Sequence, residues 1–377
     1  MPACISPFRI GFVALLAQSF LTFGAIRVSE TGEIFFLANT SVRYDDNLFQ
    51  TDLNRVDDVV FQFSPGIEFR AGTTGSALYS LGYTHNFLVY ADNNDRNSNL
   101  ASLNGAMSIE TARSSLSLSG FYQQLEGNNS DFLGSLFGDL IRRDIYGVTG
   151  RAETAITPKV SASAGASFRT TDYQNPLLSD QTVISLPLNV YYKFTPKVDL
   201  STGYEFRTTD QTLGPDTNSH FINVGARGEI LPKLTSNIRV GVENRESSGA
   251  LASRSILAVD GTLSWAASPK STYGLELGRR FDTSGQGGGL SRTSASVFGR
   301  FQFTPQLSGN AQISYEMSDY DNVNRTDNYY EFNVGGTYVV NNVVSLSAGY
   351  IHRFNSSDVA AVEFSNNIVS ISALFRF

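Results

Sequence analysis

The sequence predicts an all-β fold: a transmembrane antiparallel up-and-down β-barrel of about eighteen strands, with sixteen as the alternative count. Three observations predict it. Apolar and polar residues alternate along almost the whole chain, turn chemistry recurs at a near-constant interval, and the lysines are confined to those turns. Residues 182–209 show the pattern most clearly. Ile184, Leu186, Leu188, Val190, Tyr192 and Phe194 alternate with Ser185, Pro187, Asn189, Tyr191 and Lys193. After Thr195-Pro196-Lys197, Val198, Leu200, Thr202, Tyr204 and Phe206 alternate with Asp199, Ser201, Gly203, Glu205 and Arg207. A period of two places one set on each face of a strand, and proline presets the turn between them.

The turn returns as Thr157-Pro158-Lys159, Leu231-Pro232-Lys233, Ser268-Pro269-Lys270 and Thr304-Pro305-Gln306. Gly72-Thr73-Thr74-Gly75, Thr111-Ala112-Arg113 and Asn341-Asn342 are weaker versions. From Pro158 onward the interval is about 36–38 residues, the length of two membrane-crossing strands and their connections. Longer segments rich in Asn, Asp, Ser and Gly join the strands at the other end, as in a barrel with short periplasmic turns and long extracellular loops. Lys159, Lys193, Lys197, Lys233 and Lys270 all lie at or beside the short turns, which keeps ammonium groups out of hydrocarbon.

Taken in order, residues 1–29 read as a secretory leader, with Arg9 before the apolar run 10–25 and Gly24-Ala25 as an approximate cleavage point. Residues 30–377 form the barrel. The first strand, 34–44, carries Ile34, Phe36, Ala38, Thr40, Val42 and Tyr44 on one face and leads into a loop beginning Tyr44-Asp45-Asp46-Asn47. The second, 59–70, points Phe61, Phe63, Ile67 and Phe69 outward and Gln62, Ser64, Glu68 and Arg70 inward. Strands follow at 76–91, 99–110, 114–124, 144–156, 159–170, 183–194, 197–208 and 218–230. The remainder are 233–245, 254–266, 271–282, 290–303, 306–318, 328–340, 343–354 and 364–377. Pro187 has no N–H for the ladder, so its strand is expected to carry a bulge or local gap. An even count puts both termini on the periplasmic side.

The 377 residues carry a formal net charge of −7, which disfavours nucleic acid as a partner. The single cysteine, Cys4, falls in the leader, so the mature chain has no disulfide or thiolate metal site.

The last strand ends Leu374-Phe375-Arg376-Phe377, with Phe377, Phe375, Ala373, Ile371 and Val369 on one face. In this it resembles bacterial outer-membrane porins, whose final aromatic residue is read by the barrel-assembly machinery; the resemblance makes Phe375 and Phe377 the expected assembly signal. The Tyr44-Asp45-Asp46-Asn47 segment and the repeated Thr-Pro-Lys turns are similar to the putative β-barrel porin 2 group, over essentially all of residues 34–377. The resemblance implies an outer-membrane location, no catalytic residues and, for some members, an association with exopolysaccharide export.

Within the strands, Glu205, Arg207, Arg227, Glu229, Arg239, Glu243, Arg245, Glu276, Arg280, Arg300, Glu316, Glu331, Arg353 and Arg376 fall on the polar face and are the expected pore lining. Phe194, Trp265, Phe303, Tyr338 and Phe377 end the outer face near the turns, at headgroup level. In the third outer loop, 125–143, Phe132, Leu133, Leu136, Phe137, Leu140 and Ile141 recur at helical spacing behind Ser130 or Asp131. That helix either covers the rim or, the preferred expectation, folds into the lumen as third loops do in general porins, packing on inward residues such as Phe221, Phe298 or Ile351.

His85, His220 and His352 are spread around the circumference at the outer ends of their strands and do not converge on a metal or nucleophile. His352 near Ser356 or Ser357 is the one faint Ser/His pair. The clusters Asp45-Asp46, Asp57-Asp58 and 319–322 read as solvated loop acids rather than calcium ligands. Neither a cofactor nor a metal is expected. The expected function is passive diffusion of small hydrophilic solutes through an Arg/Glu-lined channel, opposed charge rows setting a transverse field. The alternatives are an exopolysaccharide conduit, with inward Tyr191, Phe221 and Phe298 as sugar platforms, and a structural or adhesive barrel with a blocked lumen. Expected partners are outer-membrane lipid and lipopolysaccharide, the assembly machinery and, for the conduit, polysaccharide export components.

Overall fold

A computed structural model describes residues 26–72, 77–128, 140–248, 253–321 and 323–377. A two-residue strand β1 (Ile26–Arg27) pairs with the start of β2 (Gly32–Asp45), so paired backbone begins inside the stretch read as leader. The wall then continues through β3 (Asp58–Ala71), β4 (Ala77–Tyr90), β5 (Ser98–Glu110), β6 (Ser114–Glu126), β7 (Arg142–Ala155) and β8 (Val160–Tyr173). Next come β9 (Gln181–Lys193), β10 (Val198–Gln211), β11 (Thr217–Leu231), β12 (Leu234–Ser247), β13 (Arg254–Ser268) and β14 (Ser271–Thr283). The last five are β15 (Gly289–Gln302), β16 (Leu307–Tyr320), β17 (Thr326–Val339), β18 (Val344–Ser357) and β19 (Phe364–Arg376). Each of the eighteen long strands pairs antiparallel with its sequence neighbours, and β19 closes on β2. The expected count and every expected strand are present, the bounds differing by a few residues: the first begins at Gly32 rather than Ile34.

Register confirms which face is which. Tyr204 faces Ile222 across β10 and β11, Val242 faces Leu257 across β12 and β13, and Val297 faces Ile313 across β15 and β16; all six are exposed on the outside. A contiguous exposed apolar band of this extent is what hydrocarbon covers in a spanning barrel. Phe194, Trp265, Phe303 and Tyr338 lie exposed near the turns as expected. Phe377 does not: it is 6 % exposed, exchanges backbone hydrogen bonds with Phe36 and stacks near Phe375 at 6.5 Å.

The structure supplies the reason for threonine in the turns. The Thr157, Thr195 and Thr304 hydroxyls each accept N–H groups two and three residues on, holding the corner that proline begins. Leu231-Pro232-Lys233 lacks that hydroxyl. There the Glu229 carboxylate accepts the Lys233 N–H, Lys233 takes φ +66° and the register shifts. Pro187 produces the expected gap: the β8–β9 register skips from Ala164–Leu188 to Ser167–Ser185, while the β9–β10 side runs unbroken. Pro65 interrupts the β3–β4 register in the same way.

The Asp45-Asp46-Asn47 segment is a latch above the closing seam, and its acids are not simply solvated. Asp46 accepts both the backbone and side-chain amides of Asn367, each at 2.6 Å, and Asp45 accepts the Asn366 amide at 2.6 Å. Asn47, fully buried, donates to the Ser365 and Thr51 carbonyls and accepts the Thr51 N–H. Asp58 is likewise buried and accepts the N–H groups of Ala91, Asp92 and Asn93. The substitution Asn47→Ala leaves the half-buried Thr51 and Ser365 carbonyls without their donor and the Thr51 N–H without its acceptor, at a cost of about 1–3 kcal/mol. It is expected to lower the urea midpoint of the refolded barrel; an unshifted midpoint rejects the latch.

Candidate functional site

The register places all fourteen predicted lining residues on the inner face, but they do not form two rows facing each other across the lumen. Several pair sideways with neighbouring strands. Arg239 bonds Asp260, Arg292 bonds Glu316, and Arg353 reaches Glu331 at 3.1 Å. Arg376 lies 3.4 Å from Glu68, Lys197 meets Glu229 at a turn, and Glu276 has no ion pair among the described residues. Adjacent strands bring opposite charges within bonding distance at far less desolvation and strain than a span across open water, so the expected transverse field is not what the side chains build.

Five of the predicted residues converge. Arg207 and Arg280 both bond the Glu243 carboxylate, whose side chain is fully buried, and Arg280 also reaches Glu205 at 2.9 Å. Arg245, one residue pair further up β12, bonds Asp321 together with Arg254. The cluster exists because β14 leaves the wall. Pairing between β13 and β14 stops at Val259–Arg279, while pairing between β14 and β15 continues to Thr283–Gly289. Beyond Arg279 the hairpin turns inward. Period two assigns Phe281 to the membrane face, yet it is 2 % exposed, packed on the inner residues Phe221, Ile256 and Ala258.

Wall side chains replace the lost ladder bonds. The Phe281 N–H donates to Glu243 at 3.2 Å, Arg207 donates to the Phe281 carbonyl at 2.8 Å, and Arg245 donates to the Leu290 carbonyl at 3.3 Å. The tip then docks on loops from strands well round the wall. Ser179 donates its N–H to the Gly285 carbonyl at 2.8 Å, Gln181 donates to Ser284 at 2.7 Å, and Gly288 donates to Gln211 at 3.2 Å. Since β10 to β13 separate β9 from β14 in the wall, these contacts lay the hairpin over the inner side of β10 to β13. Glycine is needed in the β14–β15 connection: Gly287 has φ +78°, and a Cβ on it would lie 2.2 Å from the Leu213 carbonyl oxygen.

The first loop also folds inward. Leu48, with Phe49 beside it, is buried on Val60, Leu88, Tyr90 and Leu100, which sit on the inner face. Of the third-loop candidates, Phe132, Leu133, Leu136 and Phe137 lie outside the described residues. Leu140 packs against the Leu48 cluster and Ile141 against Leu178, not against Phe221, Phe298 or Ile351, because the nearest inward apolar surface belongs to β3–β5 and the loop before β9.

A second ionic cluster sits at the turn end, and sequence reading missed most of it. Arg227 bonds Glu153 and lies 3.1 Å from Asp199, with its guanidinium 3.5 Å from the Tyr191 ring centroid. These residues, with Lys159 and Lys193, line a polar cavity of about 360 Å³. Glu153, Asp199, Asp260 and Arg292 all have the polar-face parity, so the alternation contained the signal. Arginine also covers Phe221 (Arg280, 4.3 Å), Phe281 (Arg245, 4.1 Å) and Phe298 (Arg300, 4.8 Å).

The histidines face outward. His85 bonds the Tyr83 hydroxyl at 3.0 Å and His220 that of Tyr204 at 2.8 Å. His352 takes Asn367, and Ser357 donates to Asp327, so no Ser/His pair forms. Among the described residues no group of His, Cys, Asp and Glu is arranged to hold a metal.

Residues 216–377 match the family model described as Putative beta-barrel porin 2. No curated protein matches the chain. Among solved structures, a BenF-like porin from Pseudomonas fluorescens Pf-5 is similar at 12 % identity and a TM-score of 0.51, covering 92 % of this chain and 99 % of its own. The outer membrane protein opdK from Pseudomonas aeruginosa has 13 % identity and a TM-score of 0.49, with coverage of 92 % and 99 %. OccAB4 from Acinetobacter baumannii has 11 % identity and 0.49, with 93 % and 99 %.

Proposed function

We propose that this chain is an outer-membrane β-barrel of porin type and acts as a passive channel for small hydrophilic solutes, without catalytic activity. The observation that carries the reading is the inner face. It is lined with laterally paired arginines and carboxylates and narrowed by a hairpin, a polar path that admits hydrated solutes and penalises apolar ones. Lateral pairing nearly cancels the lumen charge, so the intrinsic ion preference is weak.

Each pair is a separate lever on that preference. Arg239→Ala leaves Asp260 as an unpaired inner-face anion. The expected result is a reversal potential shifted toward cations in a salt gradient across a planar bilayer; an unchanged potential rejects Arg239 as pore lining. The conduit reading loses support from the aromatic platforms: Phe221 is fully buried, and Tyr191 and Phe298 carry guanidinium groups on their rings. The inward first loop and hairpin favour the blocked barrel as the second reading. Steady conductance from purified protein supports the channel, and silence supports the blocked barrel. The assembly machinery, reading Phe375 and Phe377, and outer-membrane lipid remain the proposed partners.

A further inference from the structure

Arg279 is the one permanently charged side chain that, among the described residues, lies on the membrane-facing set of a long strand away from the strand ends. Its register partners place it there without ambiguity. Across β13 it faces Val259, beyond which lies Val240, and across β15 it faces Thr293, beyond which lies Met317. The other outward charges on the long strands (Glu126, Arg142, Asp144, Asp172, Asp210, Glu246 and Asp319) sit in the last turnings of their strands, next to the loops. Arg279 is exposed and has no ion pair among the described residues, while Asp319, two strands away on β16, is turned to Arg254 at 3.7 Å.

A guanidinium among lipid chains is unfavourable unless it reaches an anion at the interface. Two further features mark where that anion sits. The Thr293 hydroxyl, directly across from Arg279, is buried without a hydrogen-bond partner. Immediately above Arg279 the β13–β14 ladder ends and β14 turns into the lumen, so the outer wall is not continuous there and Leu257 stands exposed on the β13 edge. A five-donor fork, a free hydroxyl and a break in the wall lie together in the loop-side half of the barrel, and the fork matches the oxygens of a phosphate.

We propose that Arg279 and Thr293 form a binding site for a phosphate of a phosphorylated glycolipid in the outer leaflet, its acyl chains lying along the apolar β13 and β15 faces. The site rests on the membrane location alone, so a silent channel leaves it standing.

The test uses full-length refolded barrel in phosphatidylcholine nanodiscs doped with lipid A, enzymatically dephosphorylated lipid A or phosphatidylglycerol, with bound lipid counted by native mass spectrometry. Wild type is expected to retain lipid A about tenfold better than its dephosphorylated form, the scale of one charge-assisted hydrogen-bond set. Arg279→Leu is expected to lose that preference, and Arg279→Lys to keep part of it. Equal retention of lipid A by wild type and Arg279→Leu, or of both lipid A forms by wild type, overturns the site. Retention of phosphatidylglycerol equal to that of lipid A overturns the glycolipid assignment. Folding of every variant is checked by resistance of the unheated barrel to SDS; if Arg279→Leu fails that check, Thr293→Val, expected to lose a smaller share of the preference, decides by the same readout.

Discussion

Gly287→Val opens the channel: single-channel conductance of the purified variant rises severalfold over wild type. Gly287 sits at φ +78°, where a β-branched side chain costs about 1–3 kcal/mol of backbone strain, and the added Cβ meets the Leu213 carbonyl oxygen at 2.2 Å. The tip is docked by three hydrogen bonds, with Ser179, Gln181 and Gln211, while Glu243, Arg207 and the buried Phe281 ring hold the base of the hairpin. The wall β-ladders do not depend on the tip, so the barrel stays folded. The converse experiment joins Ser179→Cys to Gly285→Cys, where the Ser179 N–H already donates to the Gly285 carbonyl at 2.8 Å. Oxidised, this pair holds the hairpin down and keeps conductance at or below the wild-type value. If both variants conduct as wild type does, the hairpin is not the constriction.

Glu243→Ala is expected to be the most destabilising single change in the lumen. Its carboxylate, fully buried, accepts from Arg207, Arg280 and the Phe281 N–H. Without it two guanidinium groups are left with the single acid Glu205, and removing one partner from a buried ionic network costs about 3–5 kcal/mol. Two readouts follow. The urea midpoint falls, and the reversal potential moves toward anions, opposite in sign to Arg239→Ala. Replacement by Gln retains an acceptor for the Phe281 N–H but not the charge, so Glu243→Gln is expected to show the selectivity shift with a smaller loss of stability. A fall in the midpoint equal to that of Ala would place the whole effect in the lost charge rather than in the grip on the hairpin.

The strand pattern was legible because one face of each ribbon meets hydrocarbon and the other water, which forces period two into the residues themselves. That rule found all eighteen strands, the lipid-facing rows and the inner-face placing of Glu205, Arg207, Glu243, Arg245 and Arg280. It also located the weak points of the ladder, since a proline without an N–H interrupts pairing wherever it falls, as Pro187 does. The same rule misled at Phe281, where local alternation pointed to lipid. Side chains from β10 and β12 supply the hydrogen bonds that β13 would have supplied, and the ring is buried against Phe221 instead.

The amino-acid order determined the architecture, the number of strands, the positions of the turns and the sidedness of the strand residues up to Arg279 on β14, because each depends only on neighbours along one ribbon. Which charges touch, which loop turns into the lumen, and why Asp45, Asp46 and Asn47 stand where they do were decided only when the sheet closed. Arg207 meets Glu243, Ser179 meets Gly285, and Asp46 meets Asn367 across stretches of chain that no local pattern links. Closure sets those distances, and closure is a property of the whole cylinder.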